Sequence, residues 1–157
     1  MIGITGYGAY VPRARLQRKA MAEANAWFAP NLRGAAKGER AMANWDEDAV
    51  TMAVEAGRDC LPTAAPLRDR AHVDAIYFAS TTMPFSDRQN AGIVAGALNL
   101  PERISSFDVT SSQRCATSAL IAAADAVEAG RVANALVVAG ERRKARAASP
   151  QEMAFGD

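Results

Sequence analysis

Apolar strands that alternate with amphipathic helices assign this chain to the α/β class, as a layered fold with a mixed, mostly parallel sheet. Three observations predict it. Residues 73–80, 104–110 and 135–139 are short apolar runs rich in β-branched or aromatic side chains. Helical segments precede and separate them, and the one at 47–61 carries Ala49, Ala53, Ala56 and Cys60 at spacings of four, three and four. The segment that follows the second run is packed with alanine, which lets a helix approach a sheet or another helix closely and suits a helix buried between layers.

Taken in order, residues 1–12 read as a strand and a turn, because Ile2, Ile4 and Val11 surround closely spaced glycines and Pro12 interrupts pairing. Residues 16–27, rich in Ala, Met, Lys and Glu, predict a helix that Pro30 and Gly34 break. Residues 30–44 then read as a long surface loop. Residues 47–61 place Ala49, Ala53, Ala56 and Cys60 on one helix face, with Asp46 available as the cap. Residues 73–80 form the first buried strand, and 90–98 a small-residue helix closed by Asn99 and Pro101. Residues 104–110 are the second buried strand. Residues 114–129 form the alanine-rich helix, stopped by Gly130, and 135–139 the third strand.

Composition narrows the function. The 157 residues carry 18 Lys and Arg against 17 Asp and Glu, a net charge of +1. That length suits one domain, or one half of a larger one. A near-neutral chain lacks the basic excess that nucleic acid or an acidic membrane demands, so neither is expected as a partner. No apolar stretch approaches the roughly 20 residues of a membrane span, and without a basic segment followed by a long apolar run a secretory signal is not expected. Two distant cysteines make no disulfide framework and point to a reducing compartment, the cytoplasm by default. One histidine, His72, leaves no basis for a metal site.

Gly3, Gly6 and Gly8 superficially resemble a dinucleotide-binding turn, but Tyr10, Val11 and Pro12 follow and no helix opens. They read instead as a tight strand exit. Cys60 falls on an apolar helix face and reads as structural. His72 stands among Asp69, Arg70 and Asp74, in a solvated turn. Cys115 is different. The strand at 104–110 runs through Ser111-Ser112-Gln113-Arg114-Cys115 directly into a helix. Such an elbow meets the positive end of the helix dipole, where a thiolate is stabilised and backbone N–H groups can hold an oxyanion. A reactive Cys115 and a packed one are both compatible with that position.

Asp108-Val109, Ala119-Leu120, Glu128-Ala129-Gly130 and Ala135-Leu136-Val137-Val138 resemble the first half of thiolase-superfamily condensing enzymes. The stretches GITGYGAYVPRARL, DEDAVTMAVEAGRDCL and VDAIYFASTT are similar to 3-hydroxy-3-methylglutaryl-CoA synthase and ketoacyl synthase III. The resemblance covers essentially the whole chain. It implies a thiolase-like layered fold, with residues 1–157 as its N-terminal half. It further implies acyl-CoA or acyl-carrier thioesters as substrates, Claisen-type carbon–carbon bond formation or cleavage, and no covalent cofactor.

Two departures from that pattern bear on the site. In the family the nucleophilic cysteine stands five residues after the aspartate of the strand, a count that reaches Gln113 and leaves Cys115 two residues on. Downstream residues support the gapless count, since a two-residue slip would rotate the helix face by about 200°. Cys115 and Gln113 are therefore alternative registers for the nucleophile position. A glutamine there cannot attack a thioester, but its amide can hydrogen-bond a carbonyl or enolate, and in related enzymes it accompanies decarboxylating domains and non-catalytic partner subunits. Where the synthases carry a glutamate as general acid/base, this chain has Thr81, as in ketoacyl synthase III. Trp27 and Arg33 lie roughly where ketoacyl synthase III holds the adenine end of coenzyme A, although Trp27 also reads as a helix-end core residue and Arg33 as a loop charge. Phe155-Gly156-Asp157 resembles the start of the motif that opens the next strand. A complementary C-terminal half or second chain is expected to complete the fold in a dimer or hetero-oligomer.

Overall fold

The computed structural model describes residues 2–63 and 69–156. Asp157, the last residue of the Phe155-Gly156-Asp157 run, lies outside the described residues. In chain order the regular elements are β1 (Ala14–Gln17), α1 (Arg18–Ala24), β2 (Glu39–Met42), α2 (Ala49–Cys60), β3 (Ala75–Ala79), α3 (Asn90–Ala97), β4 (Ser105–Val109), α4 (Cys115–Glu128), β5 (Ala135–Ala139) and α5 (Pro150–Ala154). They fall into two units, one of residues 2–10 with Asp48–Glu141 and one of Val11–Glu47 with residues 142–156.

The first unit is built on a three-stranded parallel sheet in the order β4-β3-β5. β3 is buried at every position because it has a strand on each edge and helices on each face. Its alternating side chains sort the layers. Ile76 and Phe78 join Val50, Ala53 and Val54 of α2 and Ala91 and Val94 of α3 on one face. Ala75, Tyr77 and Ala79 face Cys115, Ala119 and Ala123 of α4 on the other. Right-handed crossovers between parallel strands put α3 and α4 on opposite faces in this way. The expected α/β class and parallel sheet are observed.

Local chemistry sets the helix boundaries. Asp48, rather than the expected Asp46, caps α2. Its carboxylate accepts from Thr51 N at 2.8 Å, and Thr51 Oγ1 accepts from Asp48 N at 2.7 Å. Asp46 stands two residues too early for that reciprocal pair. α3 is held from outside its own segment: Asp108 on β4 accepts from Asn90 N at 2.8 Å, Asn90 Nδ2 at 2.9 Å and Ala91 N at 2.7 Å. Gly130, at φ +68°, ends α4 as expected. Gly140 sits where a Cβ would meet Ala49 O at 2.5 Å, so glycine lets the end of β5 approach the first turn of α2.

The opening strand expected within residues 1–12 is not formed; residues 2–12 carry no regular element. Their glycines leave little side chain to pack, and the segment lies against α2 instead of pairing. Ala9 N donates to Asp59 Oδ2 at 3.0 Å, and Gly8 leaves no room for a Cβ against Cys60 N.

In the second unit β1 pairs antiparallel with β2, from Ala14↔Met42 to Gln17↔Glu39. The expected helix at 16–27 is therefore shorter, and Leu16 belongs to a strand. The expected surface loop at 30–44 holds a 3-10 turn, Pro30–Ala35, as well as β2. Met21, Ala22, Leu32 and Met153 form a small core, and Arg18 Nε donates to Met153 O at 2.7 Å.

Candidate active site at the carboxyl edge of the sheet

Parallel strands direct their carboxyl ends to one edge, where side chains beyond the last ladder pair stand clear of the packed layers. Here the ladders close at Ala79↔Val109 and Ala79↔Ala139. Two residues on, the three strands reach Ser111, Thr81 and Glu141. Neighbouring strands lie about 4.8 Å apart, so this row crosses the edge within about 10 Å.

Thr81 and Glu141 are in direct contact. Thr81 N donates to Glu141 Oε1 at 2.7 Å, and Thr81 Oγ1 donates to Oε2 at 2.8 Å. Thr82 Oγ1 donates to the same Oε2 at 3.1 Å. Sequence reasoning does not single out Glu141. Its one signal is a position directly after the apolar run of β5, which the strand pairing turns into proximity to Thr81.

On the other side of β3 the chain leaves β4 through a tight elbow. Ser111 adopts φ +69°, a left-handed conformation that costs a non-glycine residue of order 1 kcal/mol or more. Ser112 Oγ then accepts from Arg114 N at 3.1 Å, and α4 starts at Cys115. The elbow separates the two candidate registers. Gln113 is exposed, whereas Cys115 is 4% exposed and packs with Ala79, Ala119 and Ala123 against the sheet. Cys115 thus faces the core rather than the helix-end solvent.

The remaining sequence candidates stand elsewhere. Trp27 is 84% exposed, which removes its reading as a helix-end core residue; its ring lies against Phe28, with centroids 4.8 Å apart. Arg33 is exposed on the 3-10 turn. Both belong to the second unit. Cys60 is half-buried beside the α2 core, where burial, with Asp59 nearby, pushes its thiol up from an ordinary value of 9.0. His72 lies in an exposed turn, 3.9 Å from Asp69. Among the described residues no cluster of His, Cys, Asp or Glu could hold a metal ion, and no helix is long and apolar enough to cross a membrane.

No family model matches the chain. Among curated proteins it is 31% identical over 141 residues to hydroxymethylglutaryl-CoA synthase of Methanocella arvoryzae, an overlap covering 89% of this chain and 40% of that protein. To the enzyme of the same name from Aeropyrum pernix it is 32% identical over 143 residues, 91% of this chain and 39% of that one. Its fold superposes on the priming β-ketosynthase of the R1128 polyketide pathway with a TM-score of 0.83 and 27% identity, across 98% of this chain and 46% of that chain. The chain is similar to enzymes of the thiolase superfamily. It matches the N-terminal half of that fold, and it spans about 40% of the length of the curated relatives. OleA of Xanthomonas campestris, crystallised as a cysteine-to-serine variant with lauric acid and lauroyl-CoA, shares the fold at a TM-score of 0.74 and 22% identity, over 88% of this chain and 43% of its own. Within the superfamily fold, the elbow, Thr81 and Glu141 occupy one edge of the N-terminal sheet.

Proposed function

We propose that this chain is the N-terminal half of a condensing enzyme that acts on acyl-CoA or acyl-carrier thioesters by Claisen-type carbon–carbon bond formation or cleavage. The observation that carries the reading is the elbow between β4 and α4, set beside Thr81 and Glu141 at the carboxyl edge. This arrangement sets a helix N-terminus and an exposed neutral amide at the sheet edge that Thr81 and Glu141 share, and the backbone N–H groups and the amide are donors that suit a thioester carbonyl whose oxygen gains charge during reaction. A C-terminal half, in the same chain or a second one, completes the site and supplies the groups that activate the second substrate. The outward face of α4 supports this. Leu120 and Ile121 are 47% and 55% exposed, and a cavity of about 740 Å³ lies between α4, β5 and residues 2–8. Exposed apolar surface of this kind calls for a covering partner.

In the standard route a cysteine thiolate attacks the thioester carbonyl, the carrier thiol leaves, and the acyl group rests on the enzyme. The burial of Cys115 and the exposure of Gln113 favour a second reading of the same site. With Gln113 at the nucleophile position the covalent step is absent, and the amide donates to the carbonyl or enolate oxygen. The assembled protein is then a decarboxylating or lyase-type member, or this chain is the non-catalytic partner of an active homologue. Trp27 and Arg33 are proposed to hold the nucleotide end of coenzyme A, consistent with an exposed ring and an exposed guanidinium.

Incubation of the assembled protein with acyl-CoA, followed by mass mapping of adducts, tests the register. The expected result is no acyl group on Cys115, and an acyl group on the introduced thiol in Gln113→Cys. A stable acyl-thioester on Cys115 of the wild-type chain restores the covalent route and overturns the Gln113 register.

A further inference from the structure

The hydrogen bonds at the carboxyl edge have a direction, and that direction limits what the edge can recognise. Three protons point at the Glu141 carboxylate, from Thr81 N, Thr81 Oγ1 and Thr82 Oγ1. A hydroxyl has a single proton. Once Thr81 Oγ1 has committed it to Glu141, only its lone pairs remain to face the site. Thr81 is then an acceptor and cannot stabilise an oxyanion, a role that demands a donor.

We propose that Glu141 is a positioning residue that fixes Thr81 as a hydrogen-bond acceptor, so that the edge selects thioesters carrying an N–H or O–H donor near the reacting carbonyl. This rests on the thioester reading above and goes further by assigning a substrate feature to a residue. Two parts of an acyl thioester can offer the donor: a hydroxyl on the acyl chain, or an amide N–H of the carrier arm. The register supports the assignment, because Thr81 lies between the elbow on one side and Glu141 on the other.

The substitution Glu141→Gln inverts the arrangement without changing its shape. With the glutamine oxygen held by Thr81 N, the amide NH2 falls against the two hydroxyls. These must then accept from it and turn their own protons outward. Thr81→Val removes the hydroxyl at constant volume.

Non-reactive thioether analogues test this on the assembled protein by calorimetry. S-butyl-CoA serves as the reference, S-(3-hydroxybutyl)-CoA adds an acyl donor, S-(3-oxobutyl)-CoA adds an acceptor, and S-butyl-CoA with N-methylated pantetheine amides removes the carrier donors. A net hydrogen bond changes affinity by about threefold to tenfold. Wild type is expected to show that preference either for the 3-hydroxy compound over the reference or for the reference over the N-methylated compound, which identifies the source of the donor. Thr81→Val is expected to abolish the preference. Glu141→Gln is expected to lose it and to bind the 3-oxo compound more tightly than wild type does, a gain that a merely structural carboxylate would not produce. A donor preference that survives intact in Thr81→Val overturns the proposal, as does wild-type binding with no donor preference at all. If wild type binds none of the thioethers, this proposal and the thioester reading fail together; binding without preference sinks this one alone.

Discussion

The two cysteines differ in what surrounds the sulfur, and that difference predicts their chemistry. Cys115 opens α4 but turns its side chain into the layer between α4 and β3. Cys60 is half-buried, and burial with help from Asp59 raises its thiol above 9.0. At pH 8 iodoacetamide is expected to modify Cys60 before Cys115, and Cys60 more slowly than in urea, as read by peptide mass mapping. Faster modification of Cys115 would mean that the elbow opens toward solvent. Because the fold favours the protonated Cys60 thiol, its contribution to stability is complete below the unfolded pKa and declines as pH rises through the folded one. Unfolding titrations should therefore show stability falling above about pH 9 in the wild type and less so in Cys60→Ala. Glu141 illustrates what single residues conceal: in the sequence it is one acid after an apolar run, and only the pairing of β3 with β5 makes it the partner of Thr81.

At the scale of elements, capping explains where the helices begin and supplies two measurable costs. Asp48→Ala removes one half of a capping box and should lower stability by about 1 kcal/mol in urea unfolding. Asp108→Ala should cost more, about 2–4 kcal/mol, because it strands three buried donors, two of them on Asn90, which is 1% exposed. Hydrogen exchange should then rise across residues 85–91 while β3 stays protected; an unchanged exchange pattern would show that Asp108 does not hold α3. The buried strands of the first unit are legible in the sequence as continuous apolar runs, α2 by its three-four spacing, and α3 and α4 by their small-residue and alanine content with stop signals at Asn99 and Gly130. β1 and β2 are not, since strands of four residues in a sheet of two leave almost no period to detect. The opening strand fails for the opposite reason: Ile2 and Ile4 look β-like, but Gly3, Gly6 and Gly8 around them offer no side chains to pack.

At the scale of the molecule, the sheet and its covering helices account for one face of α4 and leave the other exposed. The class and the parallel sheet followed from the order of strands and helices. The row of Ser111, Thr81 and Glu141 did not, because it depends on which strands are neighbours rather than on which follow one another. On the proposed reading the remaining groups of the reaction come from outside residues 1–157, and His72, the one histidine of the sequence, lies in an exposed turn next to Asp69. Residues 1–157 expressed alone should thus be inactive and should self-associate or aggregate through the apolar face of α4. Co-expression with a complementary C-terminal half should restore solubility. The most direct test of the account is acyl-CoA consumption, followed by thiol release or product formation, by residues 1–157 alone and by the assembled protein under the same conditions. The account predicts turnover or stoichiometric thioester binding only in the assembled protein. A soluble, cooperatively folding monomer of residues 1–157 that consumes acyl-CoA by itself would contradict the reading of this chain as half of a site.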